Sequence, residues 1–94
     1  MSGWEHFASL APLYAAGDYE AYIEHAKPLI GAHPEYGMAP YNLACVESLT
    51  GRTDDAIEHL RAAVELWPRS RQLARSDPDF DSIRDEPRFK EVIG

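Results

Sequence analysis

Three acids alternate in the segment Asp77-Pro78-Asp79-Phe80-Asp81. Carboxylates at every second position are how a calcium-binding loop begins. Such a loop continues with glycine, where Ser82 stands, and closes on a bidentate glutamate, where Arg88 stands. Pro78 explains the run better, because it makes Asp77 the N-cap of a helix that starts with proline. His25 and His59 recur in register along the chain. Zinc wants further nitrogen or sulfur ligands nearby, and Cys45 is predicted on a different helix face. Both histidines are expected at the surface. Cys45 would act as a nucleophile only beside a base and an orienting group. The sequence supplies neither, which leaves a half-buried structural thiol. The chain has no Gly-rich phosphate loop and no serine in a nucleophile-elbow context. Its paired carboxylates sit at helix starts, where the helix dipole favours them. No catalytic residue, no metal and no cofactor is expected, so the chain reads as a non-enzyme.

The elements that position these residues belong to a short chain. Its 94 residues are enough for a single domain, 1–94, with one thin core. Nine Lys+Arg against sixteen Asp+Glu give a net charge of −7. That balance argues against a nucleic-acid partner and against an anionic membrane surface. No apolar run approaches the roughly 18 residues that a bilayer span needs. The segment Met1-Ser2-Gly3-Trp4-Glu5-His6 has neither a basic nor an apolar stretch, so no secretion signal is expected there. A single cysteine excludes an internal disulfide and fits a reducing compartment. The expected location is cytoplasmic.

A shift of 34 residues superposes Gly17 on Gly51, Ile23 on Ile57, Glu24 on Glu58, His25 on His59 and Pro34 on Pro68. A fixed period of this length marks a repeat architecture, whose units are too small to bury their own apolar faces alone. Each unit reads as a helix pair. Between Gly37 and Thr50 the residues Met38, Tyr41, Cys45 and Leu49 share one helical face, while Leu43 and Val46 lie on another. This helix is therefore expected to pack on two sides. Pro40 falls in its first turn, Gly51 caps it, and Thr53 opens the next helix. Ile57, Leu60, Val64 and Trp67 follow at helical spacing, and Pro68 ends the run. In the first unit Trp4, Phe7, Leu10, Ala11 and Tyr14 form a stripe, Gly17 caps, and Ala21 to Ile30 form the second helix. Pro12 and Pro28 should kink or shorten their helices.

These residues resemble the tetratricopeptide repeat, a 34-residue helix-turn-helix. The second unit carries Leu43-Ala44, Ala56-x3-Leu60 and Pro68 at the family spacing. The tryptophan place holds Pro40 and the tyrosine place holds Glu47. In the first unit Phe7-x2-Leu10-Ala11-x2-Tyr14 fits, with the turn to Gly17 one residue short. Tyr22 stands where a small residue belongs and Ala26 where a large one belongs, which reads as a compensating swap. The tail from Leu73 to Phe89 is similar to a closing segment seen after the last repeat in bacterial proteins of this type. Asp77-Pro78 and Asp85-Glu86-Pro87 each read as a helix start, and Phe80, Ile83, Phe89, Val92 and Ile93 are placed to cover the open end of the second repeat. The resemblance implies an all-α fold of two helix pairs, about 3–34 and 36–68, closed by capping helices over 69–94.

It also implies a non-catalytic module that binds a peptide or a partner helix on the concave face of its first helices. Met38, Tyr41, Asn42, Cys45 and Ser48 share that face, and Asn42 matches the place where peptide-binding members bond the ligand backbone. Arg71 and Arg75, four apart, would join it if the next helix stacks alike, and could hold an acidic side chain or a C-terminal carboxylate. The alternative for these arginines is pairing with the acids between Asp77 and Glu86. The alternative for the chain is an assembly element, a homodimer or an appendage of a larger protein, using Trp4, Phe7 and Leu10 as its contact face.

Overall fold

The computed structural model describes residues 8–34 and 36–94. Trp4 and Phe7, named above in the first stripe, and the segment Met1 to His6 lie outside the described residues. Among the described residues the protein is helical with no strand. The helices are α1 (Ala11–Ala15), α2 (Tyr19–Ala32), α3 (Met38–Leu49), α4 (Thr53–Leu66), α5 (Ser70–Ser76), a 3-10 helix (Pro78–Ile83) and α6 (Pro87–Ile93). No helix among them is long and apolar enough to cross a membrane.

The two helix pairs turn in the same way. Gly17 and Gly51 take φ of 74° and 79°, a conformation that costs glycine little and other residues more. After α1, Asp18 N–H donates to Leu13 O at 2.9 Å and Gly17 N–H to Tyr14 O at 3.0 Å. After α3, Arg52 N–H donates to Glu47 O at 2.8 Å and Gly51 N–H to Ser48 O at 3.3 Å. Both are Schellman closures, which satisfy the last carbonyls of each helix. The helices that follow, Tyr19–Ala32 and Thr53–Leu66, are both 14 residues long. Each ends just before a proline, Pro34 or Pro68.

Local chemistry differs from the sequence expectation at several ends. Thr53 is the first residue of α4 and not its cap; Arg52 holds the cap position without a side-chain bond. The first-turn N–H groups of α4 are instead next to Asp54 and Asp55. In α2, Asp18 caps by accepting from Ala21 N–H at 3.4 Å. Pro28 lies inside α2, and the helix continues past it. Glu24 and Pro28 are both exposed, so the carbonyl that proline leaves unbonded faces water. Pro12 falls in the first turn of a helix only five residues long, the shortening that proline predicts.

The core has two parts, and α3 stands between them. Leu10, Tyr22, Ile23 and Ala26 from the first pair meet Ala39, Leu43 and Val46 of α3. Tyr41, Ala44 and Cys45, on the other side of α3, meet Ala56, Ile57, Leu60, Ala63 and Val64 of α4 together with the tail. Tyr22 and Ala26 are both buried in the first cluster, as the compensating swap requires. Met38 and Leu49 are exposed at the two ends of α3, so the stripe on which they were placed is buried only in its middle. Leu10 is buried within the first pair and offers no open contact face.

The tail folds against the second pair. Phe80, Ile83, Phe89 and Val92 are buried in the second cluster, and Ile93 packs against it. Asp77 caps the helix it precedes by accepting from Asp79 N–H at 3.0 Å, but that helix is 3-10 and not α. Glu86 holds the cap position of α6 without a side-chain bond. Arg84 fastens the segment. Its guanidinium donates to Ala74 O at 3.0 Å, Arg75 O at 2.7 Å and Asp77 O at 2.6 Å, the carbonyls that end α5.

Deleting residues 77–94 would remove Phe80, Ile83, Phe89 and Val92 from the core. At about 1.5–3 kcal/mol for each buried side chain, the loss is comparable with the ~5–15 kcal/mol that holds a small domain together. The truncated chain should melt without a cooperative transition. A sharp thermal transition with a well-dispersed amide spectrum would show that the tail lies outside the core.

Candidate functional site

A cavity of about 590 Å³ opens between the first helices of the two pairs and the start of the 3-10 helix. Tyr14 and Tyr22 line it from the first pair, and Tyr36 from the connection before α3. Helix α3 contributes Tyr41, Asn42 and Cys45, which its helical spacing places on one wall. The turn into the 3-10 helix closes the opposite side with Asp77, Pro78 and Asp79.

Two tyrosine–aspartate bonds hold this wall in place. Tyr41 Oη donates to Asp77 Oδ2 at 2.7 Å, and Tyr14 Oη donates to Asp79 Oδ2 at 2.5 Å. Burial, then the bond to its aspartate, pushes each of these phenols well above the usual tyrosine range. Burial is the main cause that takes Tyr22 up to about 12. All three are therefore neutral donors at physiological pH. Tyr41 is also fixed by edge contacts to Trp67 and Phe80, with ring centroids 5.9 and 5.7 Å away. Only its hydroxyl end needs a polar partner, and Asp77 provides it.

Cys45 Sγ lies 3.8 Å from Asp77 Oδ2. Burial, followed by the charges of Asp77 and Asp79, drives its thiol far above the usual cysteine range. The sulfur therefore stays protonated, and a thiolate nucleophile is disfavoured. Cys45, Asp77 and Asp79 place three potential ligand atoms within 4.8 Å of one another. The bonds from Tyr41, Tyr14 and Asp79 N–H already engage both carboxylates. The thiol proton disfavours metal binding by the third ligand.

Of the residues singled out from the sequence, Tyr41, Asn42 and Cys45 line the cavity together. Met38 is exposed and does not line the cavity; Tyr36 Oη, from the cavity wall, lies 3.8 Å from its sulfur. Ser48 is buried one turn on, with its hydroxyl 3.3 Å from Ser82 Oγ, and so joins α3 to the 3-10 helix. Arg71 and Arg75 are elsewhere. Helix α5 packs on α4 and α6 and does not stack beside α3. Arg71 is exposed, and Arg75 donates to Ile93 O at 3.0 and 2.8 Å and to Gly94 O at 3.3 Å. Arg75 thus satisfies the last carbonyls of α6, and neither the guanidinium clamp beside Asn42 nor its pairing with the acids of 77–86 is formed. The charges beside Asn42 are carboxylates. Tyr14, Tyr22, Tyr36, Asp77 and Asp79 carry no periodic signal as a site, because Tyr14 and Asp79 meet across 65 positions of chain.

A second polar pair lies behind the cavity. Glu47 is fully buried, and its Oε1 is 2.6 Å from His59 Nδ1. Its Oε2 has no partner among the described residues. His59 was expected as a surface histidine; it is half-buried instead, and the bond to Glu47 raises its pKa against the opposing effect of burial. The charge of Asp55 also raises it, and that of Lys27 lowers it. The available signal was a glutamate directly after the apolar run Leu43-Ala44-Cys45-Val46.

The raised pKa of His59 sets the sign of a pH dependence. A histidine that holds its proton more tightly when folded contributes stability in full below its unfolded value, ~6.5. That contribution is lost as pH rises through the higher folded value. The urea midpoint should therefore fall as pH is raised from about 6 into the alkaline range. His59→Leu should abolish this dependence and cost about 1–3 kcal/mol, because Glu47 loses its hydrogen-bond partner. An unchanged pH profile in the variant would remove the pair as its source.

No family model matches the chain, and no solved structure matches it. A chloroplastic protein of Arabidopsis thaliana is similar, with 28% identity over 80 residues. The match covers 82% of this chain and 24% of that protein, so the chain spans about a quarter of the length of the curated relative it matches.

Proposed function

We propose that the chain is a non-catalytic protein-interaction module of tetratricopeptide type, whose cavity takes a peptide or helix of a partner. The observation that carries this reading is the position of the cavity. It lies between the first helices of successive pairs, and its wall includes Tyr41 and Asn42 of α3. The repeat reading is supported by the 14-residue helices Tyr19–Ala32 and Thr53–Leu66, which keep the 34-residue shift, and by the matching Schellman turns before them. The protonated Cys45 and the neutral tyrosines suit binding better than bond-making. Two pairs offer a short groove, so affinity is modest, about micromolar or weaker.

Selection from a displayed library of random peptides tests this directly. Selected peptides should lose about fivefold or more in affinity with Asn42→Ala and with Tyr14→Ala, since truncating a groove contact costs on the order of 1 kcal/mol. Peptides that bind both variants as tightly as the parent chain would place the interaction elsewhere. Light scattering reads the alternative: a tight dimer whose contact covers Tyr14 and Asn42 would make the chain an assembly element.

A further inference from the structure

We infer that the cavity is a socket for a basic side chain of the partner, a lysine or an arginine. This rests on its reading as a peptide groove. Among the described residues that line it, two are acidic and none is basic. Asp77 and Asp79 are adjacent on the same wall, and among the described residues no lysine or arginine side chain pairs with either carboxylate; Arg84 reaches Asp77 at its backbone carbonyl. Two carboxylates this close repel each other, and a cation placed between them relieves that repulsion. Each spends one oxygen on a tyrosine hydroxyl, and Asp77 Oδ1 also accepts from Asp79 N–H. Asp79 Oδ1 accepts no bond from a described residue, so it is available to an ammonium or guanidinium donor.

The remaining walls fit the same ligand. Four tyrosines line the cavity, and the negative ring faces of aromatic side chains attract cations. Ala8 and Ala11 add apolar surface for a methylene stem. A volume of about 590 Å³ is far more than an ammonium group fills, so the stem and flanking residues of a peptide can enter with it. Asn42 offers an amide donor and acceptor to a peptide group at the same wall. The chain's charge of −7 favours approach of a basic partner. An acidic peptide end, the ligand that Arg71 and Arg75 would have suited, meets two carboxylates here.

Three pools of nine-residue peptides test the inference, with randomised flanks and a fixed central lysine, norleucine or glutamate. Each is titrated into the isotopically labelled full chain and followed by amide chemical shifts. The lysine pool should saturably shift Tyr14, Asn42 and Asp79, and should bind about tenfold more tightly than the norleucine pool. The glutamate pool should bind weakest, and added salt should weaken the lysine pool alone. Asp79→Asn, which leaves an acceptor for Tyr14, should bring lysine down to the norleucine level. Equal shifts of these amides by lysine and norleucine, or a preference for glutamate, would overturn the basic socket and leave the groove standing. No shift of cavity amides by any pool, at millimolar peptide, would overturn both. The comparison of pools on the parent chain needs no variant to fold.

Discussion

Nine of the twelve residues of α3 are buried, which leaves the helix almost no face for water. Ala39, Leu43 and Val46 have to be covered by the first pair, and Tyr41, Ala44 and Cys45 by the second pair and the tail. A helix that is apolar nearly all round is stable in water only when surrounded. The remaining helices are arranged to meet that demand. Helices α2 and α4 cover its two sides, and the 3-10 helix returns to close the third. The small residues Ala39, Ala44 and Cys45 let these neighbours approach closely, while Leu43 and Val46 fill the space between them.

The same constraint generates the polar features. A surrounded helix has few exits for polar atoms, so each buried group needs a dedicated partner. Tyr41 finds Asp77, Ser48 finds Ser82, and Glu47 finds His59. Two of these three bonds reach into the tail. The tail therefore completes the hydrogen bonding of α3 as well as its apolar cover. Arg84 and Arg75 in turn satisfy the carbonyls at the ends of α5 and α6. The acidic cleft is a by-product of this closure: the turn that brings Asp77 to Tyr41 also brings Asp79 to Tyr14.

Features that repeat or alternate were legible in the sequence. The 34-residue shift located the second helix of each pair and both glycine turns, because Gly17 and Gly51 sit where a left-handed residue follows a helix, although the helix read as Ala21 to Ile30 runs from Tyr19 to Ala32. The two faces of α3 could be separated, since Leu43 and Val46 fall off the Tyr41–Cys45 stripe. The apolar residues of the tail were also identifiable as cover. What was not legible depends on distant partners. Spacing alone placed Arg71 and Arg75 beside Asn42, but the direction of α5 is set by its packing on α4 and α6. His59 looked solvated because its partner lies on another helix, 12 positions away. Asp77 and Asp79 were readable as helix-start acids, and they are: Asp77 is the cap and Asp79 lies in the first turn. That they also face four tyrosines required the chain to close on itself.

If α3 holds both parts of the core together, they should open together. Native-state hydrogen exchange measures this residue by residue. Amides of Ile23 in the first cluster, Leu43 and Val46 in α3, and Leu60 in the second cluster should exchange with one shared free energy, equal to that of global unfolding by denaturant. Exchange of Leu43 and Val46 through a much cheaper opening, while Leu60 stays protected, would show that the second pair and tail stand without α3.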